Sequence, residues 1–517
     1  MKTLIPTIDK PELVFGFVAP IGSDIDQAVD LFAAAFKKMR YDVVDIKVTD
    51  AYEDLKTYVK GALDTSTTEA RYRTYIRYGD RACSEFNDNS ILAAAAIDQI
   101  VKKREDLQET PARRKTEKFS KTVFLVHQFK RTEEIELFRA VYGDVFFQVS
   151  IYSRRGARVD NLARKFASGA HSAKINMYRS KAEELVQTDE SESDEHGQKV
   201  GQIFHRADFI VDLDHIDPSP EAQIKRFCES LFSSNAISPT KMEHGMFLAK
   251  GAALRSLDLS RQVGACILDS FGQVITLGVN DVPKANGGVY WSDEKFDDRD
   301  YRRGNDPNEC RKKEILSELL NALGEKRKLE NVLANQKVKD SQLMDALEYG
   351  RVIHAEMNAI CDAARIGKSL SGATLYCTTF PCHLCSKHII ASGISKVVFL
   401  EPYPKSLTFR LHSDAAQIEG GDRGLYAEFP SVDFVHFYGV TPRRYQEIFE
   451  RERRKDDAGN FQPYRKGRQR PVVDIKSPFY TQPETTVLMF LKNAYRKKRE
   501  ANGMRTSTTQ KTKRRIK

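Results

Sequence analysis

The sequence predicts an α/β protein of two domains, each built on a sheet that helices cover. Three observations support this prediction. The 517 residues exceed what one hydrophobic core usually supports, and 41% apolar with 30% charged residues is typical of a globular chain. In the first third, short apolar runs alternate with segments of helical periodicity, which favours a parallel sheet. Turn-forming residues at 233–240 then separate this part from a second series of helices and strands.

The N-terminal domain, residues 10–235, is expected to begin with a strand, a turn and a helix. The apolar run 13–19 ends at the turn formers of residues 20–22, and residues 24–39 have apolar positions at helical spacing. The spacing and apolarity predict further strands at 42–48, 122–127, 144–151 and 207–213, and helices at 91–104 and 133–142. The acidic, Ser-rich stretch 188–199 cannot supply core residues, so it is predicted to be a surface loop.

The second domain, residues 236–440, has a different order of elements. The pattern predicts helices at 242–257, 355–365 and 383–392 and strands at 262–269, 273–279, 374–379 and 396–400. A long insertion, residues 284–350, interrupts this order and carries a charged helical stretch at 312–329.

The positive charge of the chain is concentrated in a C-terminal extension, residues 441–517. The whole chain has a formal charge of +10, and residues 441–517 carry 22 Lys and Arg against 8 Asp and Glu. The rest therefore sums to −4, which argues against a nucleic-acid-binding body and favours a small solute as substrate. One short helix is expected at 487–495, followed by a basic tail without fixed structure at 496–517.

Several protein classes are excluded by composition. Eight cysteines are too few for a disulfide framework in a chain of this length, so the thiols are expected to be reduced. The sequence lacks an apolar run long enough for a membrane helix and a signal-peptide pattern at its start, which predicts a soluble, cytoplasmic protein without a membrane partner.

The strongest chemical pattern combines His354-Ala-Glu356 with Pro381-Cys382-His-Leu-Cys385. One imidazole and two thiolates are three ligands that Zn²⁺ favours, and a site with three protein ligands keeps a fourth position for water. Zinc lowers the pKa of that water to about 7. Glu356 follows His354 by two residues, so it is predicted to be the general acid and base. The complete pattern matches the signature of zinc nucleobase deaminases.

Other interpretations of these cysteines remain open at this stage. A C-x-x-C pair alone belongs to a structural zinc site or a redox pair about as often as to a catalytic site. The complete pattern disfavours both, because a structural site needs a fourth ligand. Cys310, in the polar insertion, is a candidate for a second metal site.

The second domain resembles the deoxycytidylate deaminases. The resemblance is carried by the segments 262–267, 278–283, 354–360 and 379–385. Together with the N-terminal domain and residues 284–291, the sequence resembles more narrowly the two-domain anti-phage dCTP deaminases of bacteria, which join a P-loop-kinase-like domain to a cytidine-deaminase-like α/β/α domain. The resemblance implies zinc on His354, Cys382 and Cys385, proton transfer by Glu356, and contact between Asn280 and the substrate.

Phosphate recognition in the second domain departs from the family pattern. The usual Asn-Gly is Asn280-Asp281 here, which places a carboxylate near the nucleotide. Lys284, Arg302 and Arg303 are the candidates for holding its phosphates.

The N-terminal loop has the context of a P-loop but not its residues. Gly16 and Gly22 are separated by five residues, and Ser23 and Asp24 stand where a Walker A motif has Lys and a hydroxyl residue. Three interpretations remain: nucleotide sensing through Gly16, Gly22 and Ser23, a structural turn, or phosphoryl transfer. The resemblance to nucleoside-monophosphate kinases favours nucleotide sensing.

The zinc pattern predicts a hydrolytic deaminase, and the resemblance implies that it converts dCTP and dCMP to deoxyuridine nucleotides and ammonia, depleting dCTP in anti-phage defence. Two rivals are a cytosine or adenine deaminase of nucleic acids docked through the basic tail, and a regulatory binding protein with a vestigial deaminase domain. The resemblance implies two regulatory partners, a nucleotide on the N-terminal domain and a small inhibitory RNA, and further copies of the chain are expected in a homo-oligomer.

Overall fold

The computed structural model describes residues 7–109, 118–190, 197–403, 405–501 and 503. The strands are β1 (Leu13–Val18), β2 (Asp42–Lys47), β3 (Thr122–Phe129), β4 (Phe146–Tyr152), β5 (Phe209–Asp212), β6 (Gly264–Leu268), β7 (Val274–Val279), β8 (Thr374–Thr379), β9 (Lys396–Glu401), β10 (Ala416–Ile418), β11 (Val432–His436) and β12 (Gly439–Val440). The α-helices are α1 (Ile25–Lys38), α2 (Ala51–Leu55), α3 (Thr68–Phe86), α4 (Ile91–Glu109), α5 (Thr132–Tyr142), α6 (Arg155–Gly169), α7 (Arg179–Glu190), α8 (Val200–Phe204), α9 (Pro220–Leu231), α10 (Lys241–Ala253), α11 (Asp300–Arg303), α12 (Pro307–Ala322), α13 (Leu329–Leu333), α14 (Gln336–Lys339), α15 (Ala355–Arg365), α16 (His383–Ala391), α17 (Thr408–Leu411), α18 (Tyr445–Phe449) and α19 (Thr481–Ala501). Short 3₁₀ helices lie at Val48–Asp50, Gly143–Val145, Ile175–Tyr178, Gly424–Tyr426 and Arg465–Gly467.

The chain forms two compact units. The first contains the residues up to Ser238 together with those from Tyr438 onward, and the second is Pro239–Phe437. The division differs from the sequence-based ranges mainly at the C-terminal end, because β12, α18 and α19 return to the first unit instead of forming a separate extension.

The first unit is built on a sheet with strand order β12-β5-β4-β1-β3-β2. The five strands from β5 to β2 pair in parallel, as the alternation of strands and helices predicts, and β12 pairs antiparallel with β5 at one edge. β1 lies in the middle and is buried along its whole length. Its carboxyl end, with those of β3 and β2, therefore faces the loops where α/β proteins usually bind ligands.

The helix predicted after β1 is confirmed as α1. Asp24 is its N-cap, and the buried residues Ala28, Val29, Phe32 and Phe36 form one apolar face. The rings of Phe32 and Phe36 pack within 5.9 Å of the Phe15 ring of β1. This contact fixes the loop between β1 and α1.

A buried ion cluster ties α19 to the rest of the first unit. Arg104 of α4 donates to both carboxylate oxygens of Glu484 of α19, at 2.8 and 2.9 Å, and to Glu12 at 2.9 Å. The hydroxyl of Tyr480 donates to Glu12 at 3.0 Å. Although burial lowers the pKa of Arg104, the carboxylates of Glu484 and Glu12 together raise it above the usual value. Arg104 therefore stays charged at the contact between α4 and α19.

The second unit contains a mixed sheet with order β10-β11-β9-β8-β6-β7. β6 pairs antiparallel with β7 and β8, while β8, β9, β11 and β10 pair in parallel. The buried alanines of α15 and the inner residues of β6, β8 and β9 share one core. The core holds the amino ends of α15 and α16 beside each other.

Several elements differ from the sequence-based expectations. The charged helix expected at 312–329 is α12, Pro307–Ala322, and Gly324 follows its end in a left-handed conformation. The acidic stretch 188–199 is helical up to Glu190, and residues 191–196 lie outside the described ranges. The C-terminal helix is longer than the predicted 487–495, and residue 502 and residues 504–517 of the basic tail also lie outside the described ranges. No helix within the described ranges is both long and apolar enough to span a membrane.

Candidate active site

His354, Cys382 and Cys385 meet where two helices of the second unit begin. His354 is the N-cap of α15 and Cys382 is the N-cap of α16, and neither side chain caps its own helix. Cys385 lies in the first turn of α16. Both cysteines are buried, with 5% and 0% of their surfaces exposed. The fold therefore brings together the three ligands that the sequence predicts.

The geometry of these side chains fits a zinc ion. The Sγ atoms of Cys382 and Cys385 each lie 3.3 Å from Nδ1 of His354, and the three atoms lie within 4.8 Å of one another. Tetrahedral zinc with bonds of 2.0 to 2.3 Å separates its nitrogen and sulfur ligands by about 3.5 to 3.8 Å. Small shifts would thus complete coordination by one nitrogen and two sulfur atoms.

The imidazole and the two sulfur atoms of the cluster shift one another's pKa values. The hydrogen bond with Cys382 raises the pKa of His354 to about 9. The hydrogen bond from Cys385, with the nearby His354, lowers the pKa of Cys382 to about 4. Both shifts favour the charged form of the group, so the His354 ring and the Cys382 sulfur stabilise each other electrostatically.

Glu356 lies beside the cluster in the first turn of α15. Its side chain is 4% exposed, and burial raises the pKa of its carboxyl above the usual value, while the neighbouring His354 lowers it. A buried carboxyl whose pKa is raised is suited to accept and return a proton near neutral pH.

A chain of hydroxyl groups holds the backbone of the cysteine loop. Ser386 donates to the carbonyl oxygen of Cys382 at 3.0 Å, and its Oγ lies 2.7 Å from Oγ1 of Thr408. The same Thr408 oxygen lies 2.8 Å from Oγ of Ser406, which donates to the carbonyl of Pro381 at 2.9 Å. Thr408 is fully buried. The sequence patterns gave no indication of this support.

A cavity of about 220 Å³ opens onto the cluster. Its wall includes His354, Glu356 and Cys382 together with Thr379, Phe380 and Tyr403, and residues 258–263 and the insertion complete it. The cavity is large enough for a pyrimidine ring beside the metal ligands.

Asn280 lies in the wall of this cavity, but its amide is already hydrogen-bonded. Its Nδ2 donates to Asp258 at 2.8 Å and to the carbonyl of Arg261 at 2.7 Å, and its Oδ1 accepts from the N–H of Val263 at 2.7 Å. Asn280 thus orients the Asp258 carboxylate and the Arg261 backbone along the cavity wall.

The basic residues selected from the sequence do not line this cavity. Lys284 pairs with Glu294, Arg303 pairs with Asp298, and Arg302 lies over the ring of Tyr301. Among the cavity-lining residues within the described ranges, Arg261 alone carries a permanent positive charge. Sequence reasoning missed Arg261, although its position just before Gln262-Val263-Gly264 would have pointed to it.

The three residues singled out in the N-terminal loop lie in the first unit, but they do not line one site. Gly22 and Ser23 line a second cavity, whereas Gly16 lies inside β1. A Cβ atom at Gly16 would lie 2.7 Å from the Phe146 ring, so packing explains this glycine. At Gly22 the φ of +88° and a 2.5 Å approach to the Arg158 carbonyl exclude a side chain. Cys310 is exposed and lies outside the ligand cluster found in the described ranges.

Comparison with known proteins defines the class of the second unit. A family profile described as "Cytidine and deoxycytidylate deaminase zinc-binding region" matches residues 239–401. This range contains the cluster, Glu356 and most of the cavity wall. The second unit thus contains a domain of the cytidine and deoxycytidylate deaminase class.

Relatives narrow this class to one family. The "Probable deoxycytidylate deaminase" of Drosophila melanogaster is 33% identical over 199 residues, which cover 76% of that protein and 37% of this chain. The deoxycytidylate deaminase of Enterobacteria phage T2 is 56% identical over 54 residues, 29% of its length and 10% of this chain. The human deoxycytidylate deaminase is 28% identical over 158 residues, 63% of its length and 31% of this chain. The chain belongs to the deoxycytidylate deaminase family.

Among solved structures, the dCMP deaminase of cyanophage S-TIM5 in apo form aligns with 38% of this chain and with all of its own chain. The TM-score is 0.21 and the sequence identity is 16%. A similarity of this size does not support an inference about the fold.

Proposed function

We propose that this protein hydrolyses the exocyclic amino group of deoxycytidine nucleotides, giving deoxyuridine nucleotides and ammonia. The observation that carries the proposal is the cluster of His354, Cys382 and Cys385 beside the buried Glu356 in one cavity. A structural zinc site would have a fourth protein ligand. Within the described ranges, the cluster consists of three residues.

His354, Cys382 and Cys385 would hold the zinc ion. The ion supplies Lewis-acid activation of water at neutral pH. The hydroxyl chain through Thr408 fixes the Cys382 backbone, so the ligands keep their spacing before metal binds.

Glu356 would move the protons. Its carboxylate accepts a proton from the attacking water and delivers it to N3 of the cytosine ring, which prepares C4 for attack. The hydroxide left by the first transfer would form a bond to C4. Glu356 would then carry the proton of this new C4 hydroxyl to the amino group, the C4–N bond would break, and uracil and ammonia would result. Its burial keeps bulk water from competing for these protons.

The substrate proposed is dCTP, with dCMP as a second substrate. Arg261 is the candidate for pairing with a phosphate at the cavity mouth. The nearby carboxylates of Asp258, Asp300 and Asp306 would repel a bare polyphosphate, whereas a magnesium-paired triphosphate has much of its charge neutralised. Asn280 would act on the substrate through the groups that it orients. The role in depleting dCTP as an anti-phage defence is supported by the resemblance to two-domain dCTP deaminases.

Two regulatory partners are proposed on the same basis. A nucleotide would bind the cavity formed in part by Gly22 and Ser23 in the first unit, where Tyr72 and Tyr75 offer aromatic surface. A small inhibitory RNA would contact the basic residues 496–517. A homo-oligomer remains the expected assembly.

The central test compares two variants with the unaltered protein. Glu356→Ala should keep about one zinc ion per chain and lose turnover of dCTP by about 10² to 10⁴-fold, the usual effect of removing a general acid and base. Cys385→Ala should lose both zinc and activity, whereas Cys361→Ala, at an exposed cysteine of α15, should lose neither. Zinc content is measured by atomic emission and turnover by ammonia release.

A comparison of substrates distinguishes a nucleotide deaminase from a nucleic-acid deaminase. The test uses dCTP, dCMP, CTP and single-stranded DNA with the same preparation. Faster deamination of single-stranded DNA than of dCTP would favour the nucleic-acid deaminase. Full turnover by Glu356→Ala would overturn the proposed proton transfer.

A further inference from the structure

The loop between β1 and α1 borders a cavity of about 200 Å³ in the first unit. Residues 19–23 form one side, and the segments after β2 and β3 and one face of α3 form the others. The cavity thus lies at the carboxyl ends of three neighbouring parallel strands, where α/β sheets usually bind ligands.

Two donors at this loop converge on one buried carboxylate. The backbone N–H of Ile21 donates to Oδ2 of Asp189 at 2.6 Å. Nζ of Lys130 donates to Oδ1 of the same carboxylate at 2.7 Å and to the carbonyl of Ala19 at 2.9 Å. Asp189 belongs to α7 and is fully buried. A loop N–H and a lysine ammonium before a helix are donors of the kind that hold phosphate oxygens in proteins.

The loop contains a third donor, the hydroxyl of Ser23. The Oγ of Ser23 is buried, with 7% of the residue exposed, and has no hydrogen-bond partner in the described part of the chain. Ser23 lines the cavity one residue before the N-cap of α1. Because a buried hydroxyl without a partner is costly, this oxygen points to a ligand that supplies an acceptor.

We propose, on the premise that the first unit takes a phosphate-bearing ligand, that the carboxylate of Asp189 blocks this site by occupying the position of the phosphate. Its carboxylate occupies the donors of Ile21 and Lys130 in the ligand-free protein. A phosphate group takes over those donors and the Ser23 hydroxyl. Since two anions cannot share the same donors without strong repulsion, Asp189 must leave, and α7 loses its contact with the loop. Arg71 and Lys165 in the cavity wall add positive charge for the incoming phosphate.

The test titrates the full-length protein with pyrophosphate by calorimetry. Asp189→Asn keeps the size of the side chain and removes its charge, so it should bind pyrophosphate at least about tenfold more tightly than the unaltered protein. The matched control is Glu183→Gln, because Glu183 lies on the same helix and its half-exposed side chain pairs with Arg179. This control should bind as the unaltered protein does. Adding Lys130→Met to Asp189→Asn should abolish binding, which localises the site to the loop.

A second measurement does not depend on the stability of Asp189→Asn. In the unaltered protein, hydrogen exchange of the amides in the last turn of α7 should accelerate with saturating pyrophosphate, because Asp189 no longer holds this turn to the loop, while Ala182, Leu185 and Val186 keep the rest of α7 in its core. Equal affinity of Asp189→Asn and the unaltered protein, or unchanged exchange in α7 with pyrophosphate bound, would overturn the closing role of Asp189 alone. Absence of binding to every variant would overturn the phosphate site as well. Neither outcome involves deaminase turnover, so the proposed deamination is tested separately.

Discussion

At the scale of single residues, Arg261 is the proposed phosphate contact, through which the site would distinguish a nucleotide from a nucleoside. It lies at the cavity wall, half exposed, and is held by Glu401 at 2.9 Å while its backbone carbonyl is fixed by Asn280. A guanidinium in this position can bind a phosphate without contacting the reacting ring.

We therefore expect Arg261→Gln to raise KM for dCTP and dCMP by about tenfold, the usual cost of a lost charge-assisted hydrogen bond, with little change in kcat. Deamination of deoxycytidine, which has no phosphate, should be unaffected. Arg302→Gln is the control, because Arg302 is exposed and does not line the cavity. Equal effects on dCTP and deoxycytidine would show that Arg261 has no role in phosphate binding.

Thr408 acts at the same scale on the metal ligands. Thr408→Val keeps the shape of a fully buried side chain and removes the hydroxyl that joins Ser386 to Ser406. It should cost about 1 to 3 kcal/mol of unfolding free energy and weaken zinc retention against a chelator. Urea unfolding and chelator competition measure the two effects. Ser392→Ala is the control, because in the described part of the chain the Ser392 hydroxyl donates to the carbonyl of Ile389, one helix turn earlier. This variant should change neither stability nor zinc retention. A similar loss of zinc in it would contradict the role given to Thr408.

The residues of the site differ in how well sequence could predict them. His354, Cys382 and Cys385 follow from spacing, because metal chemistry restricts ligand type and both helix starts are visible in the sequence. Lys284 is one of the basic residues that the sequence offers for holding the phosphates, but its ammonium pairs with Glu294 and the residue does not line the cavity. Asp189 could not be predicted, since it reaches Ile21 across 168 positions of the chain.

At the scale of elements, α19 shows why the predicted C-terminal helix was too short. Its apolar spacing is clear from Val487 to Leu491, but its first six residues include Pro483 and three threonines, which are poor predictors of helix. Proline is tolerated there because the first N–H groups of a helix need no internal acceptor. The buried contact of Glu484 with Arg104 then stabilises the start of the helix.

This contact predicts different results for two truncations. A chain that ends at residue 503 keeps α19 and should retain the unfolding midpoint and dCTP turnover of the unaltered protein. A chain that ends at residue 480 loses Glu484 and leaves Arg104 with one buried carboxylate partner fewer, which should destabilise the first unit by about 3 to 5 kcal/mol. Urea unfolding followed by circular dichroism measures the difference. Equal stability of the two chains would show that α19 contributes nothing to the first unit.

At the scale of the whole molecule, the chain enters the first unit twice and the second unit once. Sequence patterns could predict the strands of each series, because an apolar run is a local feature of the chain, but not their spatial order, in which β1 lies between β3 and β4. They could not predict that β12 pairs with β5, since Gly439 and Val440 are two residues without a pattern of their own. Long-range pairing of so short a strand depends on the completed sheet.

This division predicts that residues 239–437 fold without the rest of the chain. The segment contains the complete second sheet, its core and the ligand cluster. It should unfold in one cooperative transition and bind about one zinc ion, as a site with all its ligands in one unit requires. A segment that stays unfolded with zinc present would contradict this independence. Circular dichroism and zinc analysis provide the measurement.

Because the second unit lies between the two segments of the first, it can fold before the first unit is complete during synthesis on the ribosome. Residues 239–437 are all synthesised before β12, α18 and α19, so the catalytic unit can fold while the first sheet still lacks its edge strand and its closing helix. At 5 to 20 residues per second, the 80 residues from 438 to 517 take about 4 to 16 s to add. For that interval the nascent chain carries the complete deaminase cluster beside an unfinished first unit, so any restraint that depends on the finished first unit begins only after synthesis of the C-terminal segment.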